Sequence, residues 1–514
     1  MKIKQVLAIV LSLGTLALTA CGGKNSSSED DPKLLQAPDY SKYTHQFDAY
    51  AYSGPNPGYW TLDGERIDLG EDFRTVERYK EYKDAGFTIY LPGHDIAINS
   101  DGQEKWETQK VFLQRAHEAG LKVILNDQRL QTLSMKGTSL IGADNPETPE
   151  KDYQFVSEAE LDAYVEHCLS LYKDEPGFYG LMLGDEPRWW HVESYGQMYR
   201  ALKRVAPDIY IQYNLLPTVS TMGQADQLFA PVEGEFATEE AEILARYENY
   251  LNSFLDVMPG VEYLQYDDYP MTPGYINDLF LPTLQVAARV AKERGIEFRM
   301  VSQTFSMKWN GTLNKRAINE KDARWLNNAF IGFGIKQISY FTYWTKASNS
   351  TEGEFFIDGA SFITRAGEKT ELYYFMQKIL AENQKFAPTI LNFDYQGSRS
   401  YVNYPTYFNT AHMAFVDNSY TFQKVTDIKI DKECAMVTEL YDDENSRYMY
   451  MVMNTLDTMN RGSKAYQTTD VTFASEYTHV VVYKNGVGTP QKLGAGNKIS
   501  VELSPGEAAY LLPY

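Results

Sequence analysis

Two acidic residues followed by proline occur twice within twenty residues of this chain. In LYKDEPGFYGLMLGDEPRWW (171–190) the tripeptide stands at Asp174-Glu175-Pro176 and again at Asp185-Glu186-Pro187. A glutamate partly buried among aromatic rings such as Trp189, Trp190 and Tyr213 keeps its proton toward neutral pH and can deliver it as a general acid. A second acidic pair, Asp267-Asp268 in QYDDYP, is flanked by Tyr266 and Tyr269 and offers a nucleophile, a base for water or a hydroxyl ligand. The same residue types also pair with neighbours such as Arg188, cap helices and fix turns, so position has to separate chemistry from structure.

The positioning elements follow from hydrophobic pattern. From about residue 45 to 345, short β-type runs alternate with amphipathic helical stretches, the pattern of a parallel sheet covered by helices. Eight runs recur: 47–52, 87–92, 122–127, 178–186, 209–214, 261–268, 297–303 and 337–344. Three helix ends are followed by a glycine and a strand, at Gly86, Gly120 and Gly295. SEAELDAYVEHCLSLY opens with Ser157 and has Glu160 three residues on, a helix-start pattern. The expected fold is α/β, a (β/α)8 TIM barrel over 40–387, followed by an all-β, β-sandwich-like domain over 388–514 whose short alternating runs are separated by Asn, Gly and Pro turns. No Gly-rich phosphate loop follows the first run, which disfavours a nucleotide-binding sheet.

Barrel enzymes carry their chemistry at the C-terminal ends of the strands. That places Asp174-Glu175-Pro176 in a turn at the bottom and Asp185-Glu186-Pro187 at the top. Alternation along a strand lets only one of Asp267 and Asp268 face the barrel axis.

Residues 1–21, MKIKQVLAIVLSLGTLALTAC, have a basic start, an apolar run and small residues before a cysteine, the form of a secretion signal. Leu18-Thr19-Ala20-Cys21 resembles the bacterial lipoprotein box, which implies lipidation of Cys21 and a body anchored to a membrane of the bacterial cell envelope, facing outside the cytoplasm. Residues 22–39 read as a flexible tether. Removing Lys2 and Lys4 with the signal takes the net charge from −21 to −23, which argues against nucleic acid as a partner. Cys168 and Cys434 read as buried thiols, and the 7 histidines show no metal-ligand spacing, so no metal or cofactor is expected. The 39 Tyr, 25 Phe and 7 Trp suit a carbohydrate partner, whose flat apolar faces stack on rings.

With the barrel, the tripeptide at 185–187, the aromatic Trp344 closing the eighth run and the C-terminal β-domain, the chain resembles the clan A glycoside hydrolases. The resemblance implies that Glu186 is the general acid/base. The pattern breaks at the seventh run, which ends Ser302-Gln303-Thr304-Phe305 where the family has a nucleophilic glutamate; Glu297 begins that run and lies at the wrong end. Three replacements are open. Asp185 beside Glu186 resembles the acidic pair of hexosaminidases in which the substrate's acetamido group is the nucleophile. Asp267 or Asp268 can act from the sixth run. Glu352, Glu354 or Asp358 can fold back from the loop after the eighth. Sugar contacts are expected from Trp344 as a stacking floor, and from Gln303, Tyr266, Asp48, Tyr52, His94, Asp95, Asn126, Asp127 and Arg129. The leading expectation is an extracytoplasmic glycoside hydrolase; the alternatives are a carbohydrate-binding surface lipoprotein with a degenerate, non-hydrolytic barrel, and a barrel that is only a scaffold.

Overall fold

The computed structural model describes residues 36–62, 65–68, 70–92, 97–98, 103–142, 153–348, 353–403, 410–459 and 466–514. The signal and Cys21, the tether as far as residue 35, and His94, Asp95 and Glu352 lie outside the described residues.

Seven parallel strands carry the N-terminal part. They are β1 (Ile89–Tyr90), β2 (Lys122–Asp127), β3 (Phe178–Asp185), β4 (Tyr210–Asn214), β5 (Tyr263–Asp268), β6 (Glu297–Gln303) and β7 (Ile335–Phe341). They form two sheets, ordered β1-β2-β3-β4 and β5-β6-β7, with the short strand Ala97–Ile98 also paired to β2. The gap between β4 and β5 is bridged where the Leu215 N–H donates to the Gln265 carbonyl at 3.1 Å. On the far side, residues 49–52 lie between β7 and β1: Tyr52 N–H donates to Tyr340 O (2.8 Å) and Thr88 N–H to Ala49 O (3.0 Å). This first run makes a single bridge, Ala51 to Tyr340, instead of a regular strand. The reason is local, because side chains take its other donors: Ala51 N–H gives to the Tyr82 hydroxyl (2.6 Å) and Ala49 N–H to Thr88 Oγ1 (3.4 Å).

Helices α1 (Val76–Asp84), α2 (Gln103–Glu118), α3 (Gln128–Ser134), α4 (Glu158–Leu169), α5 (Val192–Val205), α6 (Met222–Leu228), α7 (Glu239–Val257), α8 (Phe280–Arg294), α9 (Glu320–Gly332) and α10 (Glu371–Ile390) alternate with the strands. Ser157 caps α4 by accepting from Glu160 N–H at 3.3 Å, and Gly295, at φ 64°, closes α8 in the left-handed conformation that spares glycine a Cβ clash. Between the sheets, Tyr50, Tyr52, Ile89, Ile124, Met182 and Val301 pack into one cluster. The buried amides of Gln212 and Gln265 donate to the hydroxyls of Tyr50 and Tyr52, while their own Oε1 atoms have no partner among the described residues.

The C-terminal region begins at Asp394, just after α10, which runs through 388 to Ile390. It holds a six-stranded and a three-stranded antiparallel sheet that share a core of Val437, Val452, Val471, Ile499, Val501 and Leu511. Arg316 ties this region to α9 by bonding Asp322 (2.8 Å) and Asp457 (3.0 Å), all three being buried. A buried charge is tolerable when its fork of donors is met in this way.

Candidate active site

The chemistry of β3 is set by one extra residue. Met182 pairs with Gln212 and Asp185 with Asn214, so three steps along β3 match two along β4. Gly184 takes the extra place, turned toward α5, where a Cβ would stand 2.7 Å from the Tyr195 ring. A bulge re-aims the side chain that follows it. Asp185 thereby joins Met182 and Asn214 on the inner face, and its Oδ1 accepts from Asn214 Nδ2 at 3.0 Å. Glu186 follows in the left-handed region, φ 49°, with its N–H given to Asn214 O at 2.9 Å. A non-glycine residue in that conformation is costly, and such costs gather at functional sites.

Opposite stands the tip of β5. Alternation sends Tyr266 and Asp268 toward the helices and Asp267 inward, where it comes within electrostatic range of Glu186 and Asp185. The Tyr269 hydroxyl donates to Asp267 Oδ2 at 2.7 Å, and the buried Oδ1 has no hydrogen-bond partner among the described residues. Burial, then the Asp185 charge, pushes Glu186 up to about 7 from an ordinary 4.5; the neighbouring Asp267 carboxyl and the Lys346 charge pull the other way, and Glu354 adds to the rise. Asp267 is held well above the carboxylate range by burial and by the charges of Glu186 and Asp185. Asp185 is raised too, through burial, with Asn214 and Lys346 opposing. Asp267 is only 3% exposed, whereas Asp185 and Glu186 are open to solvent on one side and crowded by protein on the others. Three carboxyls this close cannot all ionise at neutral pH, so the cluster keeps a proton.

Other expected residues join this cluster or leave it. Tyr52 lies beneath the carboxyls, its hydroxyl accepting from Gln212 and feeling the charges of Asp185 and Asp267. Asn126 shares the inner face with Ile124 by alternation, and its buried Oδ1 has no partner among the described residues. Glu354, from the loop after β7, lies within electrostatic range of Glu186; Asp358 is spent capping the turn at Gly359 and Arg365.

Several expectations are corrected. Trp344 is buried, 5.0 Å from the Phe73 ring, and cannot floor an open pocket. Gln303 is buried with its amide committed to backbone: it accepts from Met271 N–H (3.0 Å) and donates to Arg316 O (3.1 Å) and Phe305 O (3.2 Å). Tyr266 packs between Tyr247 of α7 and Phe298. Asp268 is buried on the side away from Glu186; burial pushes it up to about 7, against the pull of the Lys315 charge. Tyr213 is buried with its hydroxyl on Tyr263 O, so it does not crowd Glu186 as expected. Asp127, Arg129 and Tyr172 form a helix-capping network at α3. Asp48 accepts from Thr88 Oγ1 and lines a cavity of about 770 Å³ at the other end of the strands, together with Glu297, Arg299 and Lys336.

Asn214, Lys346 and the Tyr269 hydroxyl are site groups that sequence reasoning passed over. Asn214 ends the run IYIQYN, and its place at a strand tip was the available signal.

No family model matches the chain, and no curated protein matches it. Solved structures to which it is similar include glycoside hydrolases. One glycoside hydrolase is 11% identical over 91% of this chain and 92% of its own, with a TM-score of 0.46. A glycoside hydrolase family 5 protein from Bacteroides vulgatus ATCC 8482 is 11% identical over 91% of this chain and 88% of its own, with a TM-score of 0.48. A xyloglucanase of glycoside hydrolase family 44 from Paenibacillus polymyxa is 10% identical over 91% of this chain and 99% of its own, with a TM-score of 0.35.

Proposed function

We propose that the chain is a glycoside hydrolase in which Glu186 is the general acid/base and Asp267 the carboxylate that faces it. The observation that carries this reading is the convergence of Glu186 and the inward-facing Asp267 at the tips of β3 and β5, near enough that the Glu186 charge raises Asp267, with Glu186 raised to about 7. Glycosidic cleavage needs one proton for the leaving oxygen and one negative charge beside the developing oxocarbenium ion. A carboxyl pair holding a single proton has that stoichiometry. Glu186 gives its proton to the glycosidic oxygen, the C–O bond breaks toward that oxygen, and the Asp267 carboxylate stabilises the cation that water then captures. Asp185, fixed by Asn214, raises the acid and accepts a sugar hydroxyl. A nucleophile borrowed from the substrate is no longer needed once Asp267 stands opposite.

The wider setting belongs to the same proposal. Residues 49–52 and the Leu215 bridge join the two sheets into an eight-position barrel. Cys21 carries the lipid that anchors the body outside the cytoplasm.

The test is hydrolysis of aryl glycosides, N-acetylhexosaminides included, and of the corresponding oligosaccharides by the protein and by Glu186→Gln. Cleavage lost in the variant is expected. Cleavage that persists at the parent rate, or an inert parent that still binds oligosaccharides, would replace the hydrolase with a carbohydrate-binding protein.

A further inference from the structure

An antiparallel sheet of three short strands, Met307–Trp309, Thr312–Lys315 and Glu354–Phe356, overhangs the tips of β6 and β7. It is anchored there by Ile357 N–H on Ser306 O (2.9 Å) and Ser306 Oγ on Lys315 O (2.8 Å). Its register puts Met307 opposite Phe356, Lys308 opposite Phe355, and Trp309 opposite Glu354. Period-two alternation therefore gives one face to Met307, Trp309, Glu354 and Phe356, and the other to Lys308 and Phe355. The first face is turned to the site. Phe356 packs on Phe305 (5.5 Å) and Phe341 (6.2 Å), and the Glu354 charge reaches Glu186.

Trp309 is the outermost residue on that face and is 43% exposed. It is held rigidly, because the two-residue turn Asn310-Gly311 has both φ angles positive (46° and 80°), the form that matches the twist of a tight hairpin. An uncovered indole fixed beside the partly open carboxyls has a face to offer and little freedom to lose on binding. The edge of the site already holds the charged group that a sugar's hydroxyls would meet, Glu354, directly across the strand from it.

We infer that Trp309 is the stacking platform of a second sugar subsite, next to the one at Glu186, so that the substrate is an oligosaccharide and not a single sugar on a small aglycone. This rests on the carbohydrate reading above. In the chemistry envisaged, the apolar face of one pyranose lies on the indole and its neighbour presents the bond to Glu186.

The experiment titrates tetrasaccharides of glucose, xylose, mannose, galactose and N-acetylglucosamine calorimetrically into Glu186→Gln, which removes turnover, and into the same protein carrying Trp309→Ala, Trp309→Tyr or Phe355→Ala. Phe355 is 38% exposed on the opposite face of the same sheet and serves as the control. Trp309→Ala is expected to weaken the best-bound tetrasaccharide about tenfold, Trp309→Tyr about threefold or less, and Phe355→Ala not measurably. The inference is overturned if Trp309→Ala binds like its parent, if Phe355→Ala loses as much, or if no tetrasaccharide binds. Cleavage of the best-bound tetrasaccharide by the parent and by Glu186→Gln separates the two claims, since a platform that holds while Glu186 proves dispensable leaves binding and removes the catalytic assignment.

Discussion

Asp174-Glu175-Pro176 and Asp185-Glu186-Pro187 are chemically the same tripeptide, eleven residues apart, at opposite ends of one strand. The first copy precedes β3 in a turn closed by Phe178 N–H on Glu175 O, and Glu175 meets Lys110 in an ion pair of 2.6 Å. The second copy leaves β3 over a bulge, enters a left-handed residue, and faces two further carboxyls with Tyr52 and Tyr269 around them. One glutamate is given a cation; the other is given anions. The raised proton affinity of Glu186, and with it its capacity for acid catalysis, comes from burial and those anionic surroundings.

The contrast breaks most visibly in rate. Glu186→Gln should cost about 10³-fold in kcat on glycosides with poor leaving groups, within the ~10²–10⁴-fold range of a general acid, while Glu175→Gln stays within about twofold. Equal losses in both, measured in steady state, would erase the distinction. Asp267→Asn should cost about 10²-fold or more, because the amide carries no charge to oppose the oxocarbenium ion. A variant near full activity would transfer the second carboxylate's role elsewhere, with Glu354 next in line.

The pH profile sharpens the comparison. Cleavage needs Glu186 protonated, so activity should fall as pH rises through about 7. Because the Asp185 charge helps to raise Glu186, Asp185→Asn should move that alkaline limb to lower pH. A limb that stays fixed in the variant's pH–rate curve would detach Asp185 from the acid.

Much of this was legible in the sequence, and the failures have physical causes. The runs KVILND and EFRMVSQ coincide with β2 and β6, and Ser157 caps α4 where the Ser…Glu spacing put the start. The separation of the two tripeptides by strand end was equally readable, because chain direction alone decides it. What could not be read was which way a side chain turns at a strand tip. Gln303 and Trp344 are at the expected ends but are consumed by other segments, Gln303 by the loop that comes back at Arg316 and Trp344 by Phe73 from far earlier in the chain. Asp48 fails differently, since the first run starts at the opposite end and only Tyr52 reaches the carboxyls. The convergence of Glu186 and Asp267 joins residues from two strands and needed the bulge at Gly184, which no periodicity announces.

The smallest effect to expect is in stability, and its sign should differ between the two copies. Glu186 binds its proton more tightly in the folded protein, at about 7 against 4.5, so unfolding releases a proton between those values. Stability therefore declines as pH rises across that window, and the penalty stays in place above it. Glu186→Gln never ionises and escapes the penalty: it should melt above the parent at pH 8 and level with it at pH 4. Glu175→Gln does the reverse at pH 8, because it loses the partner of Lys110, a partly exposed pair whose contribution is small. Thermal unfolding of the two variants at the two pH values tests both signs at once. If both variants melted below the parent at pH 8, Glu186 would be a structural carboxylate like Glu175. If they part, one strand carries a glutamate that stabilises the fold at its base and one that destabilises it at its tip, which is the cost expected where a proton is held for use.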